Sequence, residues 1–379
     1  MAEDVFDYII SNSFRLWDLY TPARKTLEVN DYFSAKYYKG RRFRGIVDYF
    51  KRSGIKEKSD VNLVLGGNVK FENWSAGELN GILGTNSVTL LDKNFFLEDD
   101  PESQFINKCN FLKNKILITS SHDICRSNGA DLLKFKNFYL SCDKTFFGAW
   151  DWDNHHNTHI SSVYALCSDA YFPQQRAHEY ELSVVSERSF FLPPSAYEWS
   201  PSFLKNNLSL ILNSKREVDI FGIFNLYPGF PRRNQFISQL NNSIPSVKFI
   251  DNFDNYLSKS ADEKLYEWCQ AKWHWIVPTL NAVSVRAFYA LISGVGVILP
   301  IEFKYFSEFE NLDERDVIWY ETHDVMDCAR VIDLAKKKFL QSGKEGILRR
   351  HKFALQYHNI DSRLNLALDV ILDSLNSEY

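Results

Sequence analysis

The chain has 379 residues, 45% of them apolar and 24% charged, with a net charge of −4. Its 30 Phe, 19 Tyr and 9 Trp offer more burial than a disordered chain uses. The slightly acidic balance argues against a dedicated nucleic-acid binder. At roughly 150 residues per domain, the length predicts two domains.

The six cysteines, Cys109, Cys125, Cys142, Cys167, Cys269 and Cys328, are scattered without any CxxC. That spacing excludes a disulfide framework and a zinc ribbon, and reduced thiols fit a cytoplasmic protein. The first residues lack the basic-then-apolar order of a signal peptide. The longest charge-free apolar run, Ala287 to Ile301, falls short of the roughly 18–20 residues of a membrane span. A cytoplasmic chain is therefore expected, at most peripheral to the inner face of a membrane.

In chain order, residues 1–58 read as a separate helical segment, with Phe6, Ile9, Ile10 and Phe14 at helical spacing. Within it, Lys36 to Arg44 (KYYKGRRFR) holds five basic and three aromatic residues. Such a stretch is a solvated face, or a surface for anionic lipid headgroups or an anionic acceptor. Residues 59–199 alternate short apolar runs with helical segments: Val61–Asn68, Lys115–Ser121, Asn137–Asp143, Phe146–Asp153 and Ser162–Gln175. That order predicts a parallel sheet with helices on its faces.

Phe190 to Pro201 has three prolines in nine positions and reads as a linker. The strand–helix alternation restarts in residues 200–350. Strands are expected at Arg216–Phe224, Ser246–Asn252, His274–Leu280, Val295–Ile301 and Asp316–Glu321. Helices are expected at Arg232–Asn242, Ala261–Gln270, Ser284–Gly294 and from Met326. Residues 351–379 read as a further helical segment. His274, between Trp273 and Trp275, reads as a partly buried histidine with its hydrogen bonds satisfied.

The densest polar cluster is Ala149 to Ile160, holding Asp151, Asp153, His155, His156 and His159. Carboxylates and imidazoles are the usual ligands of a divalent metal. The same residues suit the cap of a helix starting near Thr158. They also suit an active-site loop at a strand's carboxyl end, offering a general base and hydrogen bonds to sugar hydroxyls. The last reading is the working one: Asp153, Asp151, His155 and His156 are catalytic candidates, and no metal is assigned. His122, after the strand Lys115–Ser121, is a lesser acid–base candidate, and Gly66-Gly67 suits a turn or a close approach. GxSxG, Walker A, HExxH and GxGxxG motifs are absent.

The segment from His274 through NAVS to VRAFYALISGVGVILP resembles the donor-binding segment of GT-B glycosyltransferases, through Arg286, Phe288, Ala290, Leu291, Gly294 and Pro300. Asp169, Leu192, Pro193, Pro194 and Tyr197 resemble the end of the first domain in those families. GIFNLYPGFPRRNQFISQL resembles the first strand, loop and helix of their donor domain. One position departs: Tyr289 stands where many members carry a ribose-holding Glu. The resemblance spans about residues 162–376 and implies an α/β fold of two Rossmann-like domains. A helical N-terminal extension and a C-terminal helix crossing back from near His358 complete it.

The same resemblance implies transfer of a sugar from a nucleotide-activated donor to a glycan or lipid-linked acceptor, in surface polysaccharide synthesis. The donor would meet Arg286, Ser284, Asn281, Phe288, Tyr227, Arg232 and Arg233, and the reacting centre would face the interdomain cleft. A helix N-terminus following a strand presents free N–H groups to a diphosphate. No cofactor and no nucleic-acid partner are expected; peripheral contact with an anionic membrane is one of the readings of Lys36 to Arg44. The alternatives are a CMP-linked acidic-sugar transferase, a metal-dependent phosphoesterase using the Asp/His cluster, and a non-catalytic GT-B-like binding module.

Overall fold

The computed structural model describes residues 29–66, 74–92, 94–98, 100–120, 129–152, 161, 164–176, 188–224, 226–227, 229–243, 258–279, 282–321 and 327–377. They form two compact units. The first comprises 1–69, 76–192 and 367–379, and the second 70–75 and 193–366.

The first unit is built on five parallel strands in the order β2-β1-β3-β4-β5. They are β1 (Asn62–Leu65), β2 (Ser87–Leu90), β3 (Ile116–Ser120), β4 (Phe146–Asp151) and β5 (Ala170–Pro173). β3, β4 and β5 are buried along their whole length, as expected for strands covered on both faces. α1 (Val29–Arg52), α2 (Ala76–Leu83), α3 (Glu102–Leu112) and α4 (Gly129–Ser141) complete the described helices before β4.

Three sequence expectations change here. The run Asn137–Asp143 is not a strand but the last turns of α4 and the residues after it. Phe135, Phe138, Tyr139 and Cys142 are all buried in one cluster, and spacings of three and four put them on one helical face. β2 was not anticipated, because SVTL is too short and too polar to stand out. β4 stops at Asp151, two residues earlier than expected.

α1 is part of the first unit rather than a separate segment. Lys39, Arg42, Phe43, Ile46, Val47 and Phe50 are buried, and their spacing of three and four defines one inward stripe. The Lys39 ammonium donates to the Ala165 carbonyl at 2.8 Å, and Phe43 meets Phe146 edge to face at 6.3 Å. Two of the five positive charges of the KYYKGRRFR stretch, Lys39 and Arg42, therefore turn inward. Arg41 and Arg44 remain exposed.

The second unit holds four parallel strands in the order β6-β7-β8-β9. They are β6 (Val218–Phe221), β7 (Ala271–Trp275), β8 (Gly296–Pro300) and β9 (Val317–Tyr320). The helices are α5 (Pro201–Asn206), α6 (Leu208–Asn213), α7 (Pro231–Ser243), α8 (Ala261–Cys269), α9 (Val285–Ile292), α10 (Asp327–Tyr357) and α11 (Ile360–Asn376). The strand expected at Ser246–Asn252 lies outside the described residues.

Strand alternation sends the two sets of side chains to different cores. Phe221, Val297, Leu299 and Val317 pack with α8 and α9. Ile220, Trp273, Trp275, Ile298 and Ile318 pack with α7 and the start of α10. Helices thus cover both faces of a parallel sheet, the doubly wound α/β arrangement that the resemblance implied. The residues of α11 divide between the two units, 360–366 in the second and 367–376 in the first.

Candidate functional site

Strands in a parallel sheet end on one edge, and ligands of such sheets bind beyond the carboxyl ends. In the second unit that edge carries the loops after β6 and β7. Ser284 caps α9, its hydroxyl accepting from the Arg286 backbone N–H at 3.3 Å. α9 is apolar along its inward face, with Ala287 through Ile292 all buried. Its first turn, by contrast, keeps Ser284 and Arg286 half-buried, where free N–H groups and the helix dipole attract an anion.

The loop after β6 brings further cations to this edge. Pro231 opens α7, and Arg232 and Arg233 follow in its first turn. The Arg233 guanidinium donates to the carbonyls of Pro278 at 3.0 Å and Val277 at 3.2 Å, which fixes it on the loop after β7. It also lies over the Tyr227 ring at 5.3 Å. Burial lowers the Arg233 pKa below its ordinary value, and the positive charge of Arg286 pushes the same way. An anion placed beside these two positive charges would be favoured. Arg232 is exposed beside them.

Asn234 is a residue that the sequence reading missed. Its side chain accepts from the Tyr227 N–H at 3.2 Å and donates to the Tyr227 carbonyl at 2.8 Å. This reciprocal clamp shapes the loop that presents Tyr227. No motif marks it, because an Asn in a first helical turn is ordinary.

Phe288 does not belong with the ligand-facing residues. It is fully buried and stacks on His358 with ring centres 4.1 Å apart and planes 9° from parallel. Helical geometry places it on the inward face of α9, so it holds the helix instead. Tyr289 is also buried, in edge contacts with Tyr197 at 5.6 Å and Trp199 at 5.4 Å. An aromatic cluster therefore occupies the position where the resembled families carry a carboxylate.

His274 departs from its expected environment. It is fully buried, and neither ring nitrogen has a hydrogen-bond partner. Burial drives its pKa well below the ordinary value, and Arg286 adds to that effect. The ring is therefore neutral at pH 7.

In the first unit, Asp151 ends β4 and is buried. Its carboxylate accepts a 2.7 Å hydrogen bond from the Tyr171 hydroxyl on β5. Trp150 and Trp152 are buried and pack edge to face at 4.9 Å. Asp153, His155, His156, His122 and Asn281 lie outside the described residues. Among the described residues, no cluster of three His, Cys, Asp or Glu side chains is placed to hold a metal, and no helix is long and apolar enough to cross a membrane.

No protein-family model matches the chain, and no curated protein sequence matches it. Solved structures do. TarM matches over 72% of this chain and 57% of its own, at 13% identity and a TM-score of 0.46; a second TarM structure, from S. aureus, contains UDP. The pneumococcal O-GlcNAc transferase GtfA, with UDP and GlcNAc, matches over 72% of this chain and 60% of its own, at 9% identity and a TM-score of 0.40. The glycotransferase of kitacinnamycin matches over 82% of this chain and 98% of its own, at 9% identity and a TM-score of 0.34.

The chain spans less than two thirds of the TarM and GtfA chains. The fold class itself rests on the two parallel, doubly wound sheets.

Proposed function

We propose that this chain is a glycosyltransferase that moves a sugar from a nucleotide-activated donor to a glycan or lipid-linked acceptor. The observation that carries this reading is Arg233 held on the Val277 and Pro278 carbonyls of the loop after β7, with Arg286 in the first turn of α9, both at the carboxyl edge of the second sheet. A departing nucleoside diphosphate gains negative charge as the glycosidic bond breaks. Cations and N–H groups already fixed there stabilise that charge without reorganising. Arg286 and Arg233 bind the diphosphate in this reading, Arg232 adds an outer charge, and Ser284, Asn281 and Tyr227 shape the rest of the donor site.

The acceptor side falls to the first unit. Asp153 is the general base of the proposal, with Asp151, His155 and His156 in the same segment. The buried Asp151 is tied to Tyr171, which suits it to hold the end of β4 in place. Synthesis of a surface polysaccharide at the inner face of a membrane belongs to the same proposal. Its lipid contacts from α1 would come from the exposed Arg41 and Arg44.

The test is a melting-temperature screen with UDP, GDP, ADP, TDP and CMP, followed by a transfer assay with the sugar forms of whichever nucleotide binds. One nucleotide is expected to raise the melting temperature, and Arg286→Ala to abolish the rise. Asp153→Asn is expected to fold normally and to slow transfer by about 100-fold, the scale of a lost general base. No shift with any nucleotide would sink the reading. Nucleotide binding without turnover would favour a binding module, and activity lost to a chelator would favour a metal-dependent phosphoesterase.

A further inference from the structure

The amino edge of the first sheet lies opposite the edge where β4 ends in Asp151. The turns that lead into β3 and β4 are joined there. The Asn114 backbone N–H donates to the Lys144 carbonyl at 2.9 Å, and the Thr145 hydroxyl to the Leu112 carbonyl at 2.8 Å. α1 borders the same turns: the Arg42 guanidinium donates to the Thr145 carbonyl at 2.7 Å, and the Lys144 ammonium lies 5.7 Å from the Tyr49 ring centre. α4 reaches them too, since the Tyr38 hydroxyl donates to the carbonyl of Leu140, in the last turn of α4, at 3.5 Å. One surface thus runs from α1 over the end of α4 to the turn after α3.

Its charge is one-sided. Burial of the stripe from Lys39 to Phe50 turns the other side of α1 outward, and that side exposes Arg41, Arg44, Lys51 and Arg52 against a single carboxylate, Asp48. The turns add Lys113 and Lys144, also exposed, against Asp143. This surplus of cations belongs to a chain whose net charge is −4. Among the cations stand three large apolar side chains, Tyr38, Leu140 and Phe111, which are 41%, 40% and 39% exposed. The Lys115 ammonium lies 3.3 Å from the Phe111 ring centre. An exposed apolar side chain is ordinary when it stands singly; three of them set among cations are not.

We propose that this surface docks on an anionic lipid bilayer. The lysines and arginines meet the headgroups, and Tyr38, Leu140 and Phe111 enter the boundary between headgroups and acyl chains. Leu140 favours a bilayer over a nucleic acid. An aliphatic tip gains from leaving water for acyl chains, but gives a base neither an aromatic face nor a hydrogen bond. The proposal deepens the membrane contact of the reading above, resting on its cations Arg41 and Arg44, and extends that contact to α4 and to the turns before β3 and β4. Docked this way, the first unit keeps the carboxyl edge of its sheet clear of lipid.

The test is co-sedimentation of the full chain with vesicles of phosphatidylcholine alone and of phosphatidylcholine with an equal part of phosphatidylglycerol. Binding is expected to the anionic vesicles only, and is expected to fall as salt rises. Lys113→Gln combined with Lys144→Gln is expected to weaken it at least 10-fold, from about 5-fold per charge. Leu140→Ser, which changes no charge, is expected to weaken it about 5-fold. These side chains are exposed, so both variants are expected to keep the wild-type melting temperature and its shift with nucleotide.

A wild-type chain that ignores anionic vesicles, or binds neutral ones as well, would overturn the surface. So would wild-type vesicle binding in the double lysine variant or in Leu140→Ser. Binding to duplex DNA that the lysine substitutions weaken, with none to vesicles, would reassign the surface to nucleic acid. Vesicle binding by a chain that no nucleotide stabilises would overturn the transferase reading and leave this surface standing; nucleotide binding without vesicle binding would do the reverse.

Discussion

Arg42 and Asp169 lie 127 positions apart and meet in a buried ion pair at 3.2 Å. The Arg42 guanidinium also donates to the Thr145 carbonyl at 2.7 Å and lies 4.3 Å from the Tyr139 ring centre. Asp169 accepts in addition from the Phe147 backbone N–H at 2.9 Å and the Tyr139 hydroxyl at 3.3 Å. The pair joins α1 to the strands, and Asp169 is the residue that the sequence resemblance had picked out for its motif alone.

Removing one partner of such a pair leaves a buried charge uncompensated. Asp169→Asn is therefore expected to lower the unfolding free energy by about 3–5 kcal/mol. Urea denaturation checks it, and a loss below about 1 kcal/mol would show that solvent reaches Arg42.

Gly294 ends α9 with φ +76°, and a Cβ there would come 2.4 Å from Ile347 Cγ2. Gly294→Ala meets both the left-handed backbone penalty and this clash. It is expected to lose more than about 1 kcal/mol of stability, read from the denaturation midpoint.

Three buried histidines make stability depend on pH. Burial lowers the pKa values of His274, His351 and His358. Each is neutral in the folded chain and free to protonate near pH 6.5 once unfolded. The unfolded state then holds more protons, so stability is complete above pH 6.5 and falls as the pH drops below it. Each histidine that stays neutral in the folded chain adds up to about 1.4 kcal/mol per pH unit to the slope. Denaturation from pH 8 to pH 5 measures it, and replacing His351 with Gln is expected to make the slope shallower.

Arg286→Ala and Arg233→Ala are expected to weaken nucleotide binding by about 10- to 100-fold each, the range for hydrogen bonds to charged groups. Arg233 also holds the Val277–Pro278 carbonyls, so its variant should lose loop order as well. Hydrogen exchange at residues 276–279 separates the two effects: faster exchange is expected for Arg233→Ala and wild-type exchange for Arg286→Ala.

Tyr289→Glu would place a carboxylate against Tyr197, Trp199 and Trp268. It is expected to lower the melting temperature rather than improve nucleotide binding, because a charge desolvated among rings finds no compensation. Tighter UDP binding in this variant would show that the position reaches the ligand after all.

The sequence alone determined the α/β class and most strands of the second unit. β6, β8 and β9 are short apolar runs bounded by turn residues, and that local signal survives without context. α9 was equally legible: Ser284 caps it, Gly294 follows its last turn, and its apolar face is continuous. Arg286 and Arg233 could be nominated for the same reason, each lying at the start of a helix that follows a strand.

Tertiary structure decided what depends on contacts distant in the chain. Whether Arg42 is a surface charge or a buried one rests on Asp169, and no local pattern joins positions 127 apart. Asn137–Asp143 has the apolar density of a strand, and only the buried stripe of Phe135, Phe138 and Tyr139 shows that its period is helical. Phe288 and Arg286 are two residues apart, but the turn of α9 sends one into the core and leaves the other half-buried at the sheet edge. His274 reads in sequence like any strand histidine. Its lack of hydrogen bonds follows from Phe221 and Trp268, which only the folded sheet and α8 bring against it.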